Sequence, residues 1–165
     1  MRSYILAVTG RYKDRVAHWD VVNEAIVDTP PNGLRDTVFS RVIGADYLDV
    51  AFRYARQADP NAKLFYNDFG GKGMNAKSQA MFNLMSAMKA CGMPSDGVGL
   101  QMHYGLSGTS SAAEAGGIRR LGEAWFENAS AERCSQATTP RKCLSRYLPR
   151  LPQCSAVYWL GHLER

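Results

Sequence analysis

A glutamate at the end of an apolar strand is the strongest chemical signal in this sequence. The run His18-Trp19-Asp20-Val21-Val22-Asn23-Glu24 reads as a buried strand that delivers an amide and a carboxyl group at its C-terminal end. In folds of parallel strands that end is where chemistry is placed. A carboxyl group there can move a proton to or from a reacting atom. Gln101 and His103 lie two apart in another apolar run, so on a strand both face one side, the geometry that a shared carboxylate partner demands. Asn67 and Asp68 close a third run of the same kind.

These residues need strands to carry them and helices to cover the strands. Residues 16–24 read as the first strand, and the loop Thr29-Pro30-Pro31-Asn32-Gly33 leads to a helix over about 44–57. In that helix Tyr47, Leu48, Ala51, Phe52 and Ala55 recur at helical spacing. Asp59-Pro60-Asn61 stops it, and residues 63–68 form the next strand. After the glycine-rich loop 70–73 a second helix spans about 75–91, with Met81, Leu84, Met85 and Met88 on one face, a stripe that reads as core. Gly92-Met93-Pro94 ends it, and residues 97–103 form a third strand. Two successive strand-helix-strand units predict parallel strands with helices outside. Beyond Tyr104 the expected order is a small-residue loop at 107–113, a helix at 114–121, a strand at 125–127, a helix at 140–148 and a strand at 156–160. A single domain over residues 1–165 is the simplest count.

Composition excludes several classes. Hydrophobic content of 45% and charged content of 21% are those of a globular domain, so disorder is not expected. The net charge of +5 is spread thinly, with no dense Lys/Arg run interleaved with aromatics, so no nucleic-acid partner is expected. Apolar runs fall far short of the about 18 residues of a membrane span, and no membrane partner is expected either.

Three segments, residues 18–25, 64–69 and 97–103, resemble glycoside hydrolase family 10, the retaining endo-β-1,4-xylanases, in both order and spacing. The resemblance is close from about Tyr4 to Tyr104. It implies an α/β fold, an incomplete (β/α)8 TIM barrel holding approximately strands four to eight. A complete barrel takes about 250 residues and this chain has 165. On that plan the chain begins within the helix before strand four, and strands one to three lie upstream of Met1. The implied partner is xylan or a related β-1,4-linked polysaccharide. No cofactor is implied, because carboxyl groups fill both chemical roles. The family also implies an extracellular location, although residues 1–10 show no secretory signal.

A retaining glycosidase needs two carboxyl groups about 5–5.5 Å apart, one protonated to donate to the leaving oxygen and one ionised to attack the anomeric carbon. Glu24 matches the family's acid/base group, and Asn23 matches the amide that binds a sugar 2-hydroxyl. Asn67 is the expected cleft residue of its pair, and Phe69 stands where the family commonly has tyrosine, keeping a stacking face. Gln101 and His103 match the pair that orients the nucleophile. The nucleophile segment itself departs from the family: no Thr-Glu-Leu-Asp is present. Glu127 is the first candidate, Glu123 the second, and a chain without a working nucleophile is the remaining alternative. Trp159 resembles the tryptophan that roofs the cleft. In the alternative reading the chain is an inactive remnant that at most binds xylan-like chains through Trp19, Phe69, Tyr104 and Trp159. Among the cysteines, Cys143 with Cys154 is the preferred pair by resemblance, with Cys91 free.

Overall fold

The computed structural model describes residues 1–101 and 111–127. The elements are α1 (Arg2–Arg11), β1 (His18–Asn23), α2 (Val38–Ile43), α3 (Tyr47–Ala58), β2 (Lys63–Phe69), α4 (Ala76–Ala90), β3 (Gly97–Gln101) and α5 (Ser111–Glu127). The three strands form one parallel sheet with β2 in the middle. This is the expected strand-helix alternation, and each crossover carries a helix as parallel pairing requires.

Burial follows the periodicity of each element. In α3 the residues Tyr47, Leu48, Ala51, Phe52 and Ala55 are buried, and in α4 so are Met81, Leu84, Met85 and Met88. All of them join Leu64 and Tyr66 of β2 in one core. The methionine stripe is therefore core, as its spacing predicts. A reciprocal cap starts α4: the Asn75 side chain accepts from the Ser78 amide, and the Ser78 hydroxyl accepts from the Asn75 amide, which satisfies two donors that no helical carbonyl reaches. Along β2 the buried residues are Leu64, Tyr66 and Asp68, and Phe65, Asn67 and Phe69 face the other side, half-buried.

Several expectations are corrected. The helix expected over 44–57 is α3, and a short helix that was not expected, α2, precedes it. Thr37 and Ser40 cap α2, and Gly44, at φ 85°, takes the left-handed turn that ends it and that a side chain would resist. The strand expected at 125–127 is not formed: α5 runs unbroken to Glu127. The helix expected over 114–121 is present within α5, and a Cβ at Gly117 would collide with the Lys72 carbonyl. That glycine serves close approach of α5 to the loop after β2. Cys91, expected to be free, is disulfide-bonded. The segments expected at 140–148 and 156–160, and the Cys143–Cys154 pair, lie outside the described residues. Among the described residues no helix is long and apolar enough to cross a membrane.

Asp96 joins the start of β3 to the elements beside it. Its amide donates to the Leu64 carbonyl at 2.7 Å. Its carboxylate accepts from the Leu64 amide at 2.9 Å, from Lys63 Nζ at 3.0 Å and from the Arg56 guanidinium. Arg56 also donates to the Ala62 carbonyl at 2.6 Å. Burial pushes the Asp96 carboxyl up, but the Leu64 amide, Lys63 and Arg56 outweigh it and hold the group below the ordinary carboxylate range. A carboxyl group lowered in the folded state contributes stability above its unfolded value and loses that contribution as pH falls through the folded value. Asp96→Asn should therefore cost about 1–3 kcal/mol at pH 7, and the cost should shrink below about pH 4. Urea denaturation of both chains between pH 7 and pH 3 checks this, and a cost independent of pH would remove the ion pairs from the explanation.

Candidate functional site

The sheet register brings four polar side chains to one end of one face. Asn23 is paired with Asn67, and Phe69 with Gln101, so Asn67 and Gln101 point the same way on neighbouring strands. Asn23 reaches that face through an irregularity: the register slips by one residue between Asp20 and Val22. Without the bulge, strict alternation would turn Asn23 away from the face that carries Asp20. With it, Val21 and Val22 are both buried and Asn23 lies opposite Asn67. Bulges re-aim side chains in this way.

Asn23 Oδ1 accepts from Asn67 Nδ2 at 2.8 Å and from Gln101 Nε2 at 3.0 Å. Two donors on one oxygen fix the amide orientation and leave Asn23 Nδ2 as the donor to offer a ligand. Gln101 Nε2 also donates to Glu24 Oε1 at 3.0 Å. Glu24 itself has left the strand: its φ is +54°, a left-handed conformation that costs a non-glycine residue on the order of 1–3 kcal/mol. Its amide donates to the Asn67 carbonyl at 2.8 Å, and its carbonyl accepts from Arg35 Nε at 2.6 Å. Both backbone groups are thus held while the carboxyl group turns toward the polar face.

On the opposite face of β2, Asp68 is fully buried. It accepts from the Tyr66 hydroxyl, from the Phe69 amide at 2.8 Å and from the Ile26 amide at 3.4 Å, and it pairs with Lys77 Nζ at 2.9 Å. Burial pushes Asp68 upward, and the Tyr66 hydroxyl and Lys77 only partly offset this. Tyr66 is pushed well up by burial and then by the Asp68 charge. Lys77 also meets Asp28 at 2.6 Å, and Arg35 Nη2 reaches both Asp28 oxygens at 3.1 Å. Burial raises Asp28, but Lys77 and Arg35 outweigh it and hold this carboxyl group below its ordinary value.

Of the residues expected from sequence, Glu24, Asn23, Asn67 and Gln101 are brought together. Asp68, expected to be secondary to Asn67, faces away. Gln101, expected to orient a nucleophile, meets Glu24 and Asn23. His18 is exposed and lies edge-on to Phe65 with ring centroids 5.7 Å apart. Trp19 is only 3% exposed, so it offers no face to a sugar. Lys77 Nζ sits 3.6 Å from the centroid of the Phe69 ring, so one face of that ring is already taken. Glu127 is the last residue of a helix rather than the end of a strand. His103, Tyr104 and Trp159 lie outside the described residues. Arg35, Asp28 and Lys77 escaped sequence reading. The available signal was Lys77 itself, because a lysine in the first turn of a helix opposes the helix dipole and implies a partner elsewhere. Among the described residues, no group of three or more His, Cys, Asp or Glu side chains could hold a metal ion.

The family described as glycosyl hydrolase family 10 matches residues 1–132. Endo-1,4-beta-xylanase A of Fusarium oxysporum is 47% identical over 103 residues, covering 62% of this chain and 31% of the relative. Endo-1,4-beta-xylanase A of Thermotoga neapolitana is 44% identical over 107 residues, covering 65% and 10%. Among solved structures, xylanase XynB from Paenibacillus barcinonensis, complexed with a conduramine derivative, superposes with a TM-score of 0.71 at 41% identity, covering 74% of this chain and 37% of that one. Xylanase 10B from Thermotoga petrophila, in complex with xylobiose, gives 0.71 at 36% identity, covering 75% and 37%. The chain therefore spans between a tenth and a third of the length of these curated relatives.

The site depends on a glycine in β3. A Cβ on Gly99 would stand 2.5 Å from Asn67 Oδ1, too close for any side chain, so Gly99 makes room for the amide that holds Asn23. Gly99→Ala should cost about 1–3 kcal/mol in urea denaturation. In an Asn67→Ala background the clash is absent, and the same change should cost at least about 1 kcal/mol less. Equal costs in the two backgrounds would exclude the contact.

Proposed function

We propose, from the premise that the chain belongs to glycosyl hydrolase family 10, that it carries the acid/base half of an endo-1,4-β-xylanase cleft, on approximately the fourth to sixth strands of a (β/α)8 barrel. One observation carries the reading. A carboxyl group sits at the C-terminal end of a parallel strand, held by Gln101 and flanked by Asn23 and Asn67. In this arrangement Glu24 donates its proton to the leaving glycosidic oxygen and later takes one from water, while Asn23 Nδ2 faces a sugar hydroxyl. Xylan is the substrate class, supported by the endo-1,4-beta-xylanase relatives and by the xylobiose bound to a structural neighbour. Export is the compartment reading, and the disulfide at Cys91 supports it, since disulfides persist in oxidising surroundings. Thiol titration of denatured protein isolated without reductant tests it: a fully reduced chain would count against export.

A second reading is favoured by the helical setting of Glu127. The retaining reaction needs a second carboxylate about 5–5.5 Å from the first. If neither Glu127 nor another residue supplies it, the chain binds xylan-like polymer without cleaving it. Glu24→Gln separates the readings. Where the chain cleaves, the variant should lose about 10²–10⁴-fold on unsubstituted xylan and far less on aryl xylosides with activated leaving groups, which need little protonation. Equal loss on both substrates would remove Glu24 from the acid role. A wild-type chain that binds xylo-oligosaccharides but releases no reducing ends would establish the second reading.

A further inference from the structure

The backbone at Glu24 is strained and is held from two sides, and the two holds differ in kind. On one side the Glu24 amide donates to the Asn67 carbonyl at 2.8 Å, an ordinary bond between neighbouring strands. On the other side the Glu24 carbonyl accepts from Arg35 Nε at 2.6 Å, a side chain on the loop between β1 and α2. The Arg35 backbone amide also donates to the Ala25 carbonyl at 2.7 Å, so residue 35 brackets both residues that follow β1. Its guanidinium turns a second edge to Asp28, with Nη2 3.1 Å from each oxygen. Asp28 is fixed in turn by Lys77 at 2.6 Å, and Lys77 by the fully buried Asp68 at 2.9 Å.

We propose that Arg35 is a positioning residue for Glu24: its guanidinium, anchored through Asp28 and Lys77 to Asp68, holds the residue after β1 in its left-handed conformation and so aims the carboxyl group at the cleft. The inference deepens the acid/base reading above and rests on it for its catalytic meaning. The geometry calls for arginine. A planar fork can donate to a carbonyl from Nε and to a carboxylate from Nη2, two separate nitrogens held in one fixed plane, whereas the donors of a lysine ammonium all sit on one atom and cannot span two acceptors placed in that way. The anchor must also be rigid, because a guanidinium bound only to a half-exposed carboxylate would swing with it. Lys77, only 6% exposed, supplies that rigidity by holding Asp28 against the sheet.

Hydrogen exchange on the intact chain tests this without requiring activity. In Arg35→Met the amides of Glu24 and Ile26 should exchange at least tenfold faster than in the wild type, with the amides of Leu64 and Tyr66 in β2 unchanged. Exchange that is unchanged at Glu24, or accelerated uniformly through β1 and β2, would overturn the proposal, since the second pattern marks a merely structural role. Asp28→Asn leaves the guanidinium in place but loosens its anchor. It should give the same local pattern more weakly, and it decides the matter if Arg35→Met does not fold. Where the wild type cleaves, Arg35→Met should lower kcat at least tenfold on xylo-oligosaccharides and much less on activated aryl xylosides, with KM little changed, and equal losses would again overturn it. A wild type that cleaves neither substrate refutes the catalytic reading, while the exchange result still decides whether Arg35 sets the Glu24 backbone.

Discussion

A carboxyl group cut off from water must be surrounded by donors, and Asp68 imposes that requirement on everything near it. Fully buried at the end of β2, it gathers the Tyr66 hydroxyl, two backbone amides and Lys77. Removing one partner of such a group is costly because the other stays buried and unpaired. Lys77 therefore has to leave the first turn of α4 for the sheet, and its second contact draws in Asp28. Arg35 closes on Asp28 and on the Glu24 carbonyl. The loop that bears Glu24 is thus tied to the core by ions, while the apolar cluster beneath it is tied by packing.

Sheet geometry does the remaining positioning. Parallel strands in register bring residues from distant parts of the chain to one level, and Asn23, Asn67 and Gln101 meet within hydrogen-bond reach. Space for them is made by removal. Gly97 lies beside the Phe65 ring and Gly99 beside the Asn67 amide, so β3 offers bare backbone where β2 offers side chains. A strand glycine usually weakens a sheet, and its place here follows from the close approach of a neighbour.

Much of this was legible in the sequence. The run ending in Glu24 predicts a strand ending in a carboxyl group, and the Gln101 side chain reaches it. The helical spacing of Met81, Leu84, Met85 and Met88 predicts a buried face, and all four are buried. What escaped was set by tertiary contact. The bulge at Val21 leaves no trace beyond two consecutive apolar residues, because strand alternation cannot show an inserted residue in an apolar run. The continuation of α5 through residues 122–127 overrides the strand preference of Trp125 and Phe126, which a short apolar run alone cannot decide. The disulfide at Cys91 depends on long-range proximity, and spacing carries no information about it.

Adjacent residues of β2 serve opposite ends of one device. Asn67 faces the polar site and holds Asn23, while Asp68 faces the core and anchors the ion chain that leads back to Glu24. Because successive strand residues point to opposite faces, a single backbone segment fixes both the amide beside the carboxyl group and the counter-charge behind its loop. A shift of β2 along its axis would therefore move the two supports of Glu24 together. The Asn67 carbonyl, which accepts from the Glu24 amide, would move with them. The spacing between the supports that β2 gives to Glu24 is thus insensitive to small sliding of the strand, and a fixed spacing of supports is what the proton-donor role proposed for Glu24 requires.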